Sequence, residues 1–171
     1  LKGFLPTLAM ARVASGMIHG EGLSSQAAGI MVTATALAAV LGHNHSPYLR
    51  FRGGKGVATT LGASLAIYPD LTIPVLAAGG IWAALAITTR RSSVASVSAG
   101  LTYPLLTWGF LHWRGRSPAD AWPFPAFALA AAMLILWRHR SNLRRLLRGT
   151  EPTFDDPSPV PAGSAPEADD P

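Results

Sequence analysis

The chain has 171 residues, of which 49% are apolar and only 13% are charged, against about 25% charged residues in a typical soluble domain. Its net charge is +5 at pH 7, and it contains no cysteine, which excludes disulfides, thiolate metal sites and cysteine nucleophiles. The basic residues occupy short connections between apolar runs and do not alternate with aromatic residues as on a nucleic-acid surface. The composition therefore predicts a membrane protein with no nucleic-acid partner.

Six apolar runs follow one another with short polar breaks, and they predict an all-α, polytopic bundle of transmembrane helices. Several runs approach the roughly 20 residues that cross a hydrocarbon core. Gly, Ala, Ser and Thr are frequent inside them, which suits close helix packing in lipid. We expect about six spans, the third being the weakest and open to a partial or re-entrant course, and we assign Trp82 to packing within the fourth. The runs are 1–17, 26–42, 57–68, 71–88, 94–111 and 123–137.

The charges in the connections predict the orientation. If all six runs cross, 11 of the 14 Lys and Arg residues fall on one side, whereas only Arg114 and Arg116 fall on the other. Basic residues favour the cytoplasmic side of a membrane. The first side, with the C-terminus, is therefore expected to be cytoplasmic. From Pro152 onward the chain is rich in Pro, Asp, Ala, Gly and Ser, which predicts a disordered acidic tail over 152–171.

The glycine-rich connection after the second run is the strongest candidate for chemistry. Gly53, Gly54 and Gly56 surround Lys55 and allow backbone N–H groups to converge on an anion, while Arg52 adds a second charge. A helix that begins directly afterwards adds the positive end of its dipole. The pattern favours a phosphate cradle, and the alternative is a basic connecting loop. It does not fit a nucleotide-binding P-loop, which needs Ser or Thr after the lysine.

Two further polar segments are predicted on the same side. Residues 88–96 place Arg90 before Ser92, Ser93 and Ser96, whose hydroxyls suit phosphate oxygens, although a helix cap with orienting arginines explains them as well. Residues 138–151 place His139 and Asn142 three apart, with Glu151 following, and an interfacial basic helix is the alternative. Three such segments on one face of an apolar bundle indicate one shared anion site.

In these three segments the chain resembles the acyl-phosphate:glycerol-3-phosphate acyltransferase family, known as PlsY. Residues 53–59 match the Gly-Gly-Lys-Gly-Val-Ala-Thr motif of that family without a break. Arg90, Ser93 and Ser96 match an Arg-Tyr-x-Ser-x-x-Ser motif, in which Arg91 stands in place of the tyrosine. A C-terminal motif is matched by His139, Arg140, Asn142, Leu143, Arg145, Leu146, Gly149 and Glu151.

The resemblance covers residues 1–151 and implies one transmembrane acyltransferase domain. The family begins with another span and a motif rich in Gly, Ser and Asn, whereas this chain begins at Leu1-Lys2-Gly3. We therefore expect a chain that lacks its N-terminal span, with seven spans in the complete protein. The family also implies the inner (plasma) membrane of a bacterium, with the active-site face in the cytoplasm.

The reaction implied by the resemblance transfers a fatty acyl group from acyl-phosphate to the 1-hydroxyl of glycerol 3-phosphate, giving lysophosphatidic acid and phosphate. No cofactor or metal is implied, and the partners are the two substrates, the lipid bilayer and the enzyme that produces acyl-phosphate. The proton acceptor stays open between His139, His43 and the substrate phosphate. The expected catalytic residues are His139, Asn142, Lys55 and Ser93; the expected phosphate-binding residues are Arg52, Gly53, Gly54, Lys55, Gly56, Arg90, Ser92, Ser93 and Ser96, with His43 and Glu151 as further motif residues.

Competing classes are weaker. Acyltransferases that use acyl thioesters commonly carry Asp five residues after a histidine, and no histidine here is followed in that way. A membrane transporter of a phosphate-bearing solute is the main alternative, but it would place polar groups near the middle of the bilayer. A non-enzymatic membrane scaffold would not need the three polar segments to coincide.

Overall fold

The computed structural model describes residues 1–20, 22–45 and 54–156, and within these ranges every regular element is a helix. This confirms the predicted all-α class. The helices are α1 (Phe4–His19), α2 (Ser25–Asn44), α3 (Val57–Leu65), α4 (Thr72–Thr89), α5 (Ser92–Trp113), α6 (Pro118–Ala121), α7 (Pro123–Arg138) and α8 (Arg140–Leu147).

Helices α2, α4 and α5 are long and apolar enough to cross a membrane, and α7 is a shorter apolar helix. The membrane bundle is thus confirmed, while the count of six spans stays a prediction. The third predicted run forms only the nine-residue α3, which rises about 14 Å. That covers about half of a hydrocarbon core. The helix ends before Tyr68 and Pro69 because proline restricts the residue before it and has no N–H to donate.

Small residues let the helices approach closely. Helix α4 packs along α5, α5 packs against α7, and α7 contacts α2, which in turn contacts α1 and α3. Ala36, Ala95 and Ala128 are fully buried at these contacts, whereas Ile87 and Leu105 are about three-quarters exposed. Gly3 lies so close to α3 that a Cβ would come within 2.3 Å of the Thr59 carbonyl oxygen. Small residues inside and large apolar residues outside fit a bundle that is surrounded by lipid.

An ion-pair cluster joins the connections at one end of the bundle. The Asp70 carboxylate accepts a hydrogen bond of 2.7 Å from Arg114 Nη1 and lies 3.3 Å from Arg116 Nη2. The Arg116 guanidinium also lies 5.8 Å from the centre of the Phe124 ring. The cluster therefore connects the α3–α4 turn, the end of α5 and the start of α7.

Asp70→Asn is expected to lower the thermal unfolding midpoint of the detergent-solubilised protein. The substitution leaves two neighbouring guanidinium groups without their carboxylate, and their partial exposure limits the loss to about 1–2 kcal/mol. Asp120→Asn is a matched control, since Asp120 lies in α6, which follows Arg116, and forms no ion pair within the described residues. Equal midpoints for the two variants would show that the cluster does not stabilise the bundle.

Candidate active site

A cavity of about 620 Å³ opens at the opposite end of the bundle, among α3, α4, α5 and α7. Polar residues line one part of it and apolar residues the rest. Helix α5 separates this end from the Asp70 cluster by its 22 residues, a rise of about 33 Å. The polar part includes His43, Lys55, Ser92, Ser96 and His139, and the apolar part includes Val75, Ala78, Gly79, Trp82, Ala99, Gly100, Tyr103 and Ile135.

The start of α3 supplies an anion-binding arrangement. Gly56, its N-cap, has a φ of +82°, and a Cβ there would come within 2.9 Å of the buried Asn44 Oδ1, so glycine is required. No side chain accepts a hydrogen bond from the first N–H groups of the helix. Lys55, which precedes Gly56, is exposed and lines the cavity. Unsatisfied N–H groups at a helix start, next to a cation, favour an anionic ligand.

Two contacts hold the neighbouring backbone against this helix. Gly54 packs against His43, where a Cβ would lie 2.5 Å from His43 Nε2. Arg138, at the end of α7, donates to the backbone carbonyl of Asn44 at the end of α2. Two predicted site residues, Arg52 and Gly53, lie outside the described residues.

His139 follows α7 and is buried in the cavity wall. Its Nδ1 lies 2.9 Å from the Ile135 carbonyl oxygen, so Nδ1 carries the proton and Nε2 is left as an acceptor. Burial and the charge of Lys55 lower the pKa of His139, and they outweigh the hydrogen bond to Ile135 and the charge of Glu151, which act to raise it. The ring is therefore expected to be neutral at pH 7, which is the state a proton acceptor needs.

Asn142 and Ser93 meet the buried Glu151 carboxylate. Asn142 Nδ2 donates to Oε1 at 2.8 Å and Arg145 Nε donates to Oε2 at 2.8 Å, while the buried Ser93 hydroxyl lies near without a well-aligned hydrogen bond. Burial acts to raise the pKa of Glu151, but these partners outweigh it and hold the pKa below its ordinary value. Asn142 and Ser93 thus do not line the cavity, and Glu151 is bound to α8 through Asn142 and Arg145.

Arg90 is not brought into the cavity wall. It ends α4 with a φ of +56°, its Nε donates to Asp155 Oδ2 at 2.9 Å, and its carbonyl accepts from the Phe154 N–H at 2.8 Å. Its predicted role in binding phosphate stays a prediction. Phe154 and Asp155 of the predicted tail thus contact the bundle, and residues 157–171 lie outside the described residues.

Two aromatic residues of the cavity wall, Trp82 and Tyr103, form polar contacts that were not predicted from the sequence. Trp82 Nε1 donates to Ser96 Oγ at 3.1 Å, and the Tyr103 hydroxyl lies 2.7 Å from Ser64 Oγ. The members of each pair belong to different helices and are 14 and 39 positions apart. No local spacing in the sequence indicates such contacts, so Trp82 was assigned to packing alone.

Fold and site together define a helical membrane protein with an apolar cavity whose mouth carries Lys55 and the start of α3. The family model described as glycerol-3-phosphate acyltransferase matches residues 1–149, and the chain belongs to that family.

Relatives named glycerol-3-phosphate acyltransferase share much of the chain. The protein of Nitrobacter winogradskyi is 44% identical over 121 residues, which are 69% of this chain and 54% of the relative. That of Pseudomonas fluorescens strain Pf-5 is 40% identical over 154 residues, which are 90% of this chain and 68% of the relative. The chain thus spans about half to two-thirds of the length of these relatives.

Two crystal structures of PlsY, an integral membrane glycerol 3-phosphate acyltransferase, resemble this fold. The glycerol 3-phosphate form has a TM-score of 0.65 and 32% sequence identity, and the match covers 89% of this chain and 65% of that one. The lysophosphatidic acid form has a TM-score of 0.63 at the same identity, with 89% and 70% covered.

Proposed function

We propose that the protein transfers a fatty acyl group from acyl-phosphate to the 1-hydroxyl of glycerol 3-phosphate, giving lysophosphatidic acid and phosphate. The observation that supports this best is one cavity that combines the glycine-lined, cationic mouth at Lys55 with an apolar interior. The relatives named glycerol-3-phosphate acyltransferase, and the PlsY structures in glycerol 3-phosphate and lysophosphatidic acid forms, support glycerol 3-phosphate as the acceptor and lysophosphatidic acid as the product. The acyl-phosphate donor rests on the motif resemblance alone.

The two parts of the cavity suit the two parts of the ligands. The start of α3 and Lys55 hold phosphate oxygens, with Ser92 and Ser96 as hydroxyl partners. The apolar walls of α4 and α5 take the acyl chain. A volume of about 620 Å³ lies in the range of small-molecule sites.

The reaction needs little nucleophilic machinery because acyl-phosphate is a mixed anhydride with a good leaving group. The glycerol 3-phosphate hydroxyl oxygen forms the new bond to the acyl carbon, the bond from that carbon to the phosphate oxygen breaks, and phosphate leaves. Lys55 and the helix start stabilise the charge that develops, and the cavity aligns the two substrates. His139 Nε2 is one acceptor for the hydroxyl proton; His43, which lines the same cavity, and a substrate phosphate oxygen are the alternatives.

Asn142, Ser93 and Glu151 support this chemistry without lining the cavity. Glu151 is hydrogen-bonded to Asn142 of α8, and its carboxylate lies near the Ser93 hydroxyl at the start of α5. We also propose that this end of the bundle faces the bacterial cytoplasm, because most Lys and Arg residues lie in its connections. The enzyme that produces acyl-phosphate is then a partner on that side.

A donor comparison tests the proposed reaction. The protein at its full natural length, purified in detergent, receives glycerol 3-phosphate with either acyl-phosphate or an acyl thioester, and phosphate release and lysophosphatidic acid are measured. We expect product from acyl-phosphate only, with phosphate released in equal amount. Product from the thioester alone would reassign the donor. A folded protein that uses neither donor would end the acyltransferase proposal and direct the next assay to solute transport.

A further inference from the structure

Trp82 lies in the cavity wall, and its indole N–H is directed at a hydroxyl of the same wall. Trp82 Nε1 donates to Ser96 Oγ at 3.1 Å, from α4 to the second turn of α5. Ser96 is nearly buried, and both residues line the cavity that Lys55 and His139 also line. The contact therefore belongs to the interior of the site.

The chemistry of this pair fixes the Ser96 oxygen as a hydrogen-bond acceptor and leaves the hydroxyl proton without a partner among the described residues. An indole N–H is a donor only, so Ser96 Oγ acts as the acceptor and its own proton needs another partner. Hydroxyl groups inside helices usually donate to the carbonyl of the preceding turn, as Thr102 and Thr107 of α5 do, to Ser98 and Tyr103. Among the described residues, Ser96 makes no such bond. Its proton is therefore available to a ligand in the cavity.

An acceptor-only, anionic group is the ligand that this arrangement fits. Ser96 lies near the start of α5, where the helix dipole favours negative charge, and Ser92 and Lys55 line the same cavity. Phosphate oxygens accept hydrogen bonds and donate none when ionised.

We propose that Trp82 is a positioning residue, which orients Ser96 to donate a hydrogen bond to a substrate phosphate group. The inference rests on the proposed function for the identity of the substrate. Trp82 acts through Ser96 and does not itself touch the phosphate.

The test removes the N–H and keeps the ring. Trp82→Phe retains an aromatic wall, and replacing Trp82 with 3-benzothienylalanine retains the bicyclic shape and loses only the donor. Ser96→Ala and the double variant complete a cycle, and Trp108→Phe is the matched control, because Trp108 is exposed on α5 away from the cavity. Affinity for inorganic phosphate, and the KM values for glycerol 3-phosphate and acyl-phosphate, are measured on the full-length protein.

Loss of the N–H is expected to weaken phosphate affinity and to raise the KM of one substrate by about fivefold, the effect of one hydrogen bond, with little change in kcat. The substrate whose KM rises identifies the phosphate that Ser96 binds. The double variant should match Ser96→Ala, because Trp82 then has no hydroxyl to orient, and Trp108→Phe should match the unaltered protein.

Unchanged phosphate affinity and KM values in the benzothienylalanine variant would overturn the inference, even if acyl transfer is intact. Effects of Trp82 and Ser96 that multiply would also overturn it, since Trp82 would then act independently of Ser96. If no acyl transfer occurs but phosphate affinity depends on the N–H through Ser96, the inference holds and the proposed reaction fails. A protein that neither transfers acyl groups nor binds phosphate would overturn both.

Discussion

Lys55→Ala is expected to reduce acyl transfer by about 10²–10³-fold, the loss found when one preorganised group that stabilises developing charge is removed. Lys55 is the cation beside the start of α3, where no side chain caps the helix. The backbone of Gly56 there packs closely against the Asn44 side chain. The helix start alone keeps only a partial charge. We expect kcat/KM to fall by this factor while the thermal unfolding midpoint stays nearly unchanged, because Lys55 is exposed.

The measurement is steady-state acyl transfer with each substrate varied in turn. Lys2→Ala is the matched control, since Lys2 is the other lysine of the chain and is exposed outside the cavity. Lys55→Arg keeps the charge but not the compact ammonium group, so partial activity is expected. Full activity of Lys55→Ala would remove the glycine-rich segment from the phosphate site.

Glu151→Ala is expected to lower both stability and activity. The substitution leaves Asn142 Nδ2 and Arg145 Nε without the carboxylate that accepts from them at 2.8 Å. Asn142 is nearly buried, whereas Arg145 is partly exposed and can be rehydrated. We therefore expect a loss of about 2 kcal/mol in the free energy of unfolding. Acyl transfer should fall as well, because Asn142, Ser93 and α8 lose their shared partner beside His139.

The pH dependence of the unfolding midpoint distinguishes the ionised Glu151 carboxylate as a hydrogen-bond acceptor from a side chain that only fills space. The pKa of Glu151 is held below its ordinary value of 4.5. Its contribution to stability is therefore complete above that ordinary value and is lost as the pH falls through the lowered pKa. Thermal unfolding of Glu151→Gln should lack this component of the acid sensitivity. Asp156→Asn, an exposed carboxylate of the same segment, is the control; identical acid profiles for the Glu151 variant and the unaltered protein would refute the role.

Much of the fold could be predicted because hydrophobicity is a local property. Each apolar run corresponds to a helix, since a backbone in lipid must satisfy its hydrogen bonds within the segment. The length of α3 could not be predicted in this way. Residues 57–68 are continuous in composition, but the helix ends at Leu65, where the chain turns through Pro69 into the Asp70 cluster.

The residue types of the candidate site could be predicted from the sequence, whereas their arrangement around one cavity could not. Gly56, Lys55 and His139 could be singled out because glycine, lysine and histidine at a helix boundary indicate anion chemistry by residue type alone. Their assembly around one cavity depends on how α3, α5 and α7 pack.

The sequence by itself determined that the protein is a helical membrane bundle with three polar segments suited to a phosphate-bearing substrate, since these properties follow from residue type and short-range spacing. Only the tertiary structure decided that Arg90 pairs with Asp155, that Ser93 turns toward Glu151, and that Trp82 donates to Ser96. Side-chain partners on different segments are chosen by helix rotation and packing, which no local pattern encodes.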